Sequence, residues 1–101
     1  MVQQLFRVER IAKLLEETRS TTGAAAYAPY AAAKILIREL DDYAIENKLS
    51  NAITKVGELD WHVGAIFGFD TDNGHDRQQH YVWALGALDV LRSDSCFGER
   101  E

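Results

Sequence analysis

Residues 29–47 read PYAAAKILIRELDDYAIEN. Within them Ala33, Leu36, Ile37, Leu40, Tyr43 and Ala44 recur at steps of three and four, the interval at which helical side chains share one face. Lys34, Arg38, Glu39, Asp41, Asp42 and Glu46 take the remaining positions. Pro29 suits the first turn of a helix, where its missing N–H leaves nothing unpaired. The alanines at 24–26, 28 and 31–33 favour helix and let a neighbour approach closely. A helix with one apolar face must bury that face against other elements. Whether the rest of the chain supplies more helices therefore decides the fold.

It does on both sides. Leu5, Val8, Ile11 and Leu15, flanked by Phe6 and Leu14, predict a helix over about 2–17, broken by Arg-Ser-Thr-Thr-Gly at 19–23. After a short connection, Ser50 or Asn51 is the expected N-cap of a helix over 51–67, whose stripe is Ile53, Val56, Leu59, Val63 and Ile66. Gly57 and Gly64 each weaken that helix by about 1 kcal/mol relative to alanine. Seven residues apart, they lie on nearly one face, which predicts a close helix–helix contact. A polar loop at 68–74 follows, with Asp72 or Asn73 as expected cap, then a helix over 75–92 with Tyr81, Ala84, Leu85, Leu88 and Leu91 inward. Residues 93–101 read as a tail. No stretch shows sustained strand alternation and no repeat occurs. The expected fold is all-α: a single domain, 1–101, built as a compact antiparallel four-helix bundle.

A chain of 101 residues with 47% apolar and 27% charged side chains holds one core and is too short for two. Cys96 is the single cysteine, so no intramolecular disulfide forms and a reducing compartment is favoured. MVQQLFRVERIAKLLEE is interrupted by charge every few residues and is not expected to act as a signal peptide. No run approaches 18 apolar residues, and the expected location is the cytoplasm. The net charge of -5 is uneven. Residues 39–76 carry nine acidic side chains against two basic ones, whereas residues 1–38 carry six basic against three acidic. Such an acidic block repels nucleic acid and favours a basic partner, unless it serves solubility alone.

Residues that carry chemistry were weighed against specific patterns. Asp70-Thr71-Asp72-Asn73-Gly74 invites a calcium loop, but a start at Asp70 leaves Gly74 at the fifth position, His75 at the sixth and Tyr81 at the twelfth. A start at 69 puts Phe69 in the first ligand position. An EF-hand tolerates neither register. His75 and His80 are five apart and diverge on a helix, unlike the four-residue spacing of zinc helices, so His62, His75 and His80 are expected at the surface or at helix ends. There is no nucleophile elbow and no phosphate loop. The reading is therefore a non-enzyme that needs no cofactor and no metal. An enzyme built on the three histidines with nearby carboxylates is the distant rival.

The aromatic residues are more informative. Trp61 and Trp83 lie off the apolar stripes of their helices, and either close the core from its edge or face a partner. Tryptophan is enriched at interface hot spots. The candidate partner-binding residues are Glu58, Asp60, Trp61, Phe69, Asp70, Asp72, Asp76 and Trp83.

From about Tyr30 to Leu91 the order of features resembles a family of small helical immunity proteins of bacterial type VI secretion, which neutralise toxins that hydrolyse NAD(P). The resemblance is carried by Ala-Ala-Lys-Ile-Leu at 32–36, Val-Gly-Ala-Ile at 63–66 and Phe69-Asp70-Thr71-Asp72, followed by Tyr81, Ala84, Gly86 and Ala87. The first helix and the spacing between blocks are not matched. The resemblance implies a helical bundle without catalysis of its own, which binds a cognate toxin in the cytoplasm and occludes its active site. A basic cleft in that toxin would suit the acidic block. The alternative is a non-enzymatic helical adaptor or a homo-oligomeric regulatory module, with a homodimer as partner.

Overall fold

The apolar stripes form helices, and each stripe turns inward. The computed structural model describes residues 3–18, 23–71 and 73–92. They form α1 (Gln3–Thr18), a 3-10 turn (Gly23–Ala26), α2 (Tyr27–Glu46), α3 (Ser50–Phe67) and α4 (Arg77–Leu91), and no strand occurs among the described residues. The fold is an all-α helical bundle. The expected tail at 93–101 lies outside the described residues.

Register follows from side chains that meet across each seam. Tyr30, early in α2, packs its ring against Phe67 at the end of α3, and Lys34 pairs with Asp60. α2 and α3 thus run antiparallel. Arg77 at the start of α4 donates from Nε to the Ile66 carbonyl near the end of α3, and His80 meets His62. α3 and α4 are antiparallel too. α1 packs on α2 and on α4. It is tied to α2 by Arg7–Glu39 (3.1 Å) and to the end of α4 by Glu9, which accepts from Nε and Nη2 of Arg92 at 2.6 and 3.1 Å. The core draws Val8, Ile11 and Leu15 from α1, Ile37 and Leu40 from α2, Val56, Leu59 and Val63 from α3, and Ala84, Leu88 and Leu91 from α4. Full burial of a Leu, Ile or Val side chain contributes about 1.5–3 kcal/mol. The four stripes therefore outweigh the helical glycines many times over.

Helix starts differ from those expected. α2 begins at Tyr27, with Ala26 before it and no side-chain cap; Pro29 still falls in the first turn. The residue before α3 is Leu49, so neither Ser50 nor Asn51 is the cap. The chain leaves α2 through a tight turn in which Leu49 N–H donates to Ala44 O (2.8 Å), while the partly buried Leu49 side chain packs on the core. Apolar anchoring there wins over capping. α4 starts at Arg77, later than expected, because Asp76 Oδ1 accepts from Gln79 N–H at 2.8 Å and satisfies a first-turn amide. Asn73 instead occupies a left-handed turn position at φ 52°, and Asp72 lies outside the described residues.

The two glycines of α3 serve different ends from the helix contact expected of them. A Cβ on Gly64 would fall 2.8 Å from Asp70 Cβ, so Gly64 admits the chain that folds back after the helix. Gly57 is exposed, and a Cβ there would meet no neighbouring atom within 4 Å. Gly68 ends α3 at φ 83°, with Phe69 N–H donating to Gly64 O and Gly68 N–H to Ala65 O. This double bond is the Schellman termination, which needs a left-handed residue. α2 ends in the same way, but with Lys48 in that position at φ 57°.

Candidate functional site

α3 is the helix with two loaded faces. Its stripe at Leu59, Val63 and Ile66 spaces three and four residues apart, and His62 falls on the same face. On α4, His80 precedes Ala84 and Leu88 by four and eight residues. Both imidazoles therefore turn inward. His62 is 7% exposed and His80 fully buried, with their Nδ1 atoms 3.0 Å apart. The surface or helix-end position expected of them fails at His62, and His80, though in the first turn of α4, is buried, because each sits on the apolar stripe of its helix. Only His75, in the loop, is exposed as expected.

One of the two Nδ1 atoms must donate and the other accept, so the neutral rings adopt opposite tautomers. Two tryptophans flank them. Trp61 stacks on His62 (4.7 Å between centroids, 30°), and Trp83 lies 5.3 Å from His62 on its other side. His80 meets both tryptophans edge-on, at 5.4 and 5.6 Å, and His75 meets Trp83 edge-on at 4.8 Å. The Trp61 indole N–H donates to Thr71 O at 2.8 Å and pins the loop against α3. Burial, then the neighbouring His80, holds the His62 pKa below the ordinary histidine value, and the Glu58 carboxylate opposes them.

Outside this ring cluster lies an open cleft of about 560 Å³, lined by Lys55, Glu58, Trp61, His62, His75, Val82, Trp83, Gly86 and Ala87. α4 is apolar on both faces here. Ala84, Ala87, Leu88 and Leu91 face the core, while Val82, Trp83 and Val90 are 50%, 37% and 40% exposed. Gly86, between them, is exposed and has nothing within 4 Å of a would-be Cβ. A mid-helix glycine costs about 1 kcal/mol. No contact among the described residues requires it.

The structure brings Glu58, Trp61 and Trp83 together on this seam and places the other candidates elsewhere. Asp60 pairs with Lys34 of α2, on the opposite side of α3. Glu58 itself pairs with Lys55 at 3.1 Å. Phe69 packs on Tyr30 (4.4 Å) and Tyr27 (6.0 Å) in a separate aromatic patch at the start of α2. Asp70 covers Gly64 and accepts the Thr71 N–H, and Asp76 caps α4. Asp72 falls outside the described residues. The expected acidic and aromatic surface is thus divided, and several of its carboxylates are occupied locally. The pattern reading missed the His62–His80 pair and the exposed Val82, Gly86 and Val90. The last three are visible in the sequence as a second four-residue repeat on α4.

Among the described residues, no group of three or more His, Cys, Asp or Glu side chains is placed to hold a metal ion. No described helix is long and apolar enough to cross a membrane. The chain matches no protein-family model, no curated protein and no solved structure.

Proposed function

We propose that the chain acts by binding another protein, and that the outer edge of the α3–α4 seam is its contact surface. The observation that carries this reading is the two-faced α4: Val82, Trp83 and Val90 stay exposed around an unobstructed Gly86, beside a cleft walled by Trp61 and Ala87. Apolar and aromatic groups around a concavity are the usual anchors of an interface. With Glu58 and Asp60 already ion-paired, binding energy comes from apolar burial, and the acidic block acts on encounter rate.

The partner we propose is a secreted bacterial toxin, following the resemblance to type VI immunity proteins. The chain would occlude the toxin's active site in the cytoplasm of the cell that makes it. The test is calorimetry between the purified chain and the toxin domain encoded by an adjacent gene. A tight complex in which Trp83→Ala and Val82→Glu each weaken affinity tenfold or more supports the reading. A tight complex indifferent to both changes removes this surface, and the absence of any complex removes the immunity role.

A second reading, a homo-oligomeric module, is favoured by one observation. The α4 stripe is rimmed by ion pairs internal to the chain, Lys55–Glu58 on one side and Arg92 with Glu9 and Asp89 on the other. Such an internally paired rim tolerates a second copy. Light scattering separates the readings, since a concentration-dependent dimer abolished by Val82→Glu favours self-association.

A further inference from the structure

Three imidazoles and two indoles meet where α3, the loop and α4 converge, and two of those imidazoles share a contact that only a restricted set of protonation states allows. With Nδ1 of His62 and Nδ1 of His80 3.0 Å apart, the neutral pair keeps one hydrogen bond. One added proton preserves the bond but places a cation among buried rings. A second puts two N–H groups face to face and two like charges at a ring separation of 5.2 Å. We propose that the His62–His80 pair is an acid-sensitive latch: neutral rings close the α3–α4 seam, and proton uptake by the pair opens it and frees Trp61 and Trp83.

The surrounding groups offer the latch little relief. From α3, Glu58 is the carboxylate whose charge acts on His62, and it is already paired with Lys55. Asp60 is engaged by Lys34 of α2. From the loop, His75 approaches His80 at 6.0 Å and adds a third titratable ring of the same kind. From α4, Asp76 is committed to the Gln79 N–H. Tryptophan faces attract cations, but burial among apolar groups and rings disfavours the charged imidazole. Because the second proton breaks the contact, the two uptakes are coupled and belong to the pair, not to either ring alone. This inference stands on the ring geometry and does not depend on the partner proposed above.

The experiment uses the purified full chain at constant ionic strength, with thermal unfolding and tryptophan emission followed from pH 7.5 to pH 5.0. The expected result is a Tm lower by on the order of 5 °C at pH 5.0, the shift that a modest stability loss produces in a domain of this size. A red shift of the emission should accompany it. The double variant His62→Gln, His80→Gln should lose both effects, and His75→Gln should keep them. Unchanged Tm and emission in the wild type overturn the proposal. So does a double variant that retains the acid loss, or a His75→Gln variant that loses it. If the double variant does not fold, ring 15N spectra of the wild type decide. Opposite tautomers at pH 7.5 and proton gain by both rings at pH 5.0 are expected; identical tautomers, or rings still neutral at pH 5.0, contradict the latch.

Discussion

α3 meets α2 and α4 through two seams of different construction. Toward α2 the interior is apolar, with Ile37, Leu40 and Val56 in the core and Tyr30 against Phe67 at one end, and its charges, Lys34 and Asp60, sit at the rim. Toward α4 the polar groups lie inside: two buried histidines pack against two tryptophans, and the Glu58 carboxylate lines the cleft outside them. An apolar seam with ion pairs at its rim contributes stability that hardly changes with pH near neutrality, because rim pairs add only about 0–1 kcal/mol. A seam with titratable groups inside makes the same packing conditional. The second seam also carries the exposed tryptophan, so the conditional part of the bundle is the part proposed to meet a partner.

The largest effect that sharpens this contrast is a cavity in the α4 stripe that also carries His80. Leu88→Ala on α4 should destabilise the chain by about 2–5 kcal/mol in urea unfolding, since Leu88 is fully buried. Leu40→Ala, the equally buried counterpart on α2, should fall in the same range. A difference that persists between the two only at low pH would confirm that the seams differ in protonation and not in packing. Next is His80→Ala, which leaves the His62 nitrogen without this partner and should cost about 1–3 kcal/mol. A loss below 0.5 kcal/mol (roughly the scale of an inert surface change) would mean that the pair contributes nothing.

The pH dependence comes third, and its sign separates the seams. The folded state holds the His62 pKa below its ordinary 6.5, so it favours the neutral ring. The stability this provides is complete above about 6.5 and is lost as pH falls below it. Glu9 is also lowered, through its hydrogen bond from Arg92, from an ordinary 4.5. Its contribution is complete above 4.5 and fails only at lower pH. Between pH 6.5 and pH 5.0 the histidine seam alone should weaken, and Asp60→Asn should leave that slope unaltered. If Asp60→Asn flattened the curve instead, the rim of the α2 seam would be the sensitive element.

The smallest expected effect has the opposite sign. Lys48 holds a left-handed position at the end of α2 that glycine fills at the end of α3. Lys48→Gly should stabilise the chain by about 0.5–1 kcal/mol, measurable as a shift of the urea midpoint. A destabilisation would show that the Lys48 side chain matters more than its backbone.

How much of this was readable in advance follows from where each interaction lies along the chain. The stripe Ala33–Ile37–Leu40–Ala44 is local, so helix and inward face followed from spacing alone, and the same held for α1, α3 and α4. Helix starts were less legible, because Leu49 is held by core packing and Asp76 by its own amide bond, while Ser50, Asn51 and Asn73 had equal claims by residue type. The side chains of His62 and His80 meet across 18 residues, a tertiary fact that residue spacing does not encode. Their faces were nonetheless legible, since each histidine falls on an apolar stripe. Gly64 shows the same limit: its neighbour is Asp70, reached only once the loop turns back.

The account turns on α4's outer face being the place where this protein binds. The most direct measurement is the dissociation constant of the complex with a toxin domain encoded beside it, compared between Trp83→Ala and Ile35→Ala, the latter an apolar change on α2 at a residue more exposed than Trp83. The account predicts about 30-fold weaker binding for Trp83→Ala, the scale of an interface hot spot, and less than about twofold for Ile35→Ala. Equal effects, or a larger loss at Ile35, would contradict it.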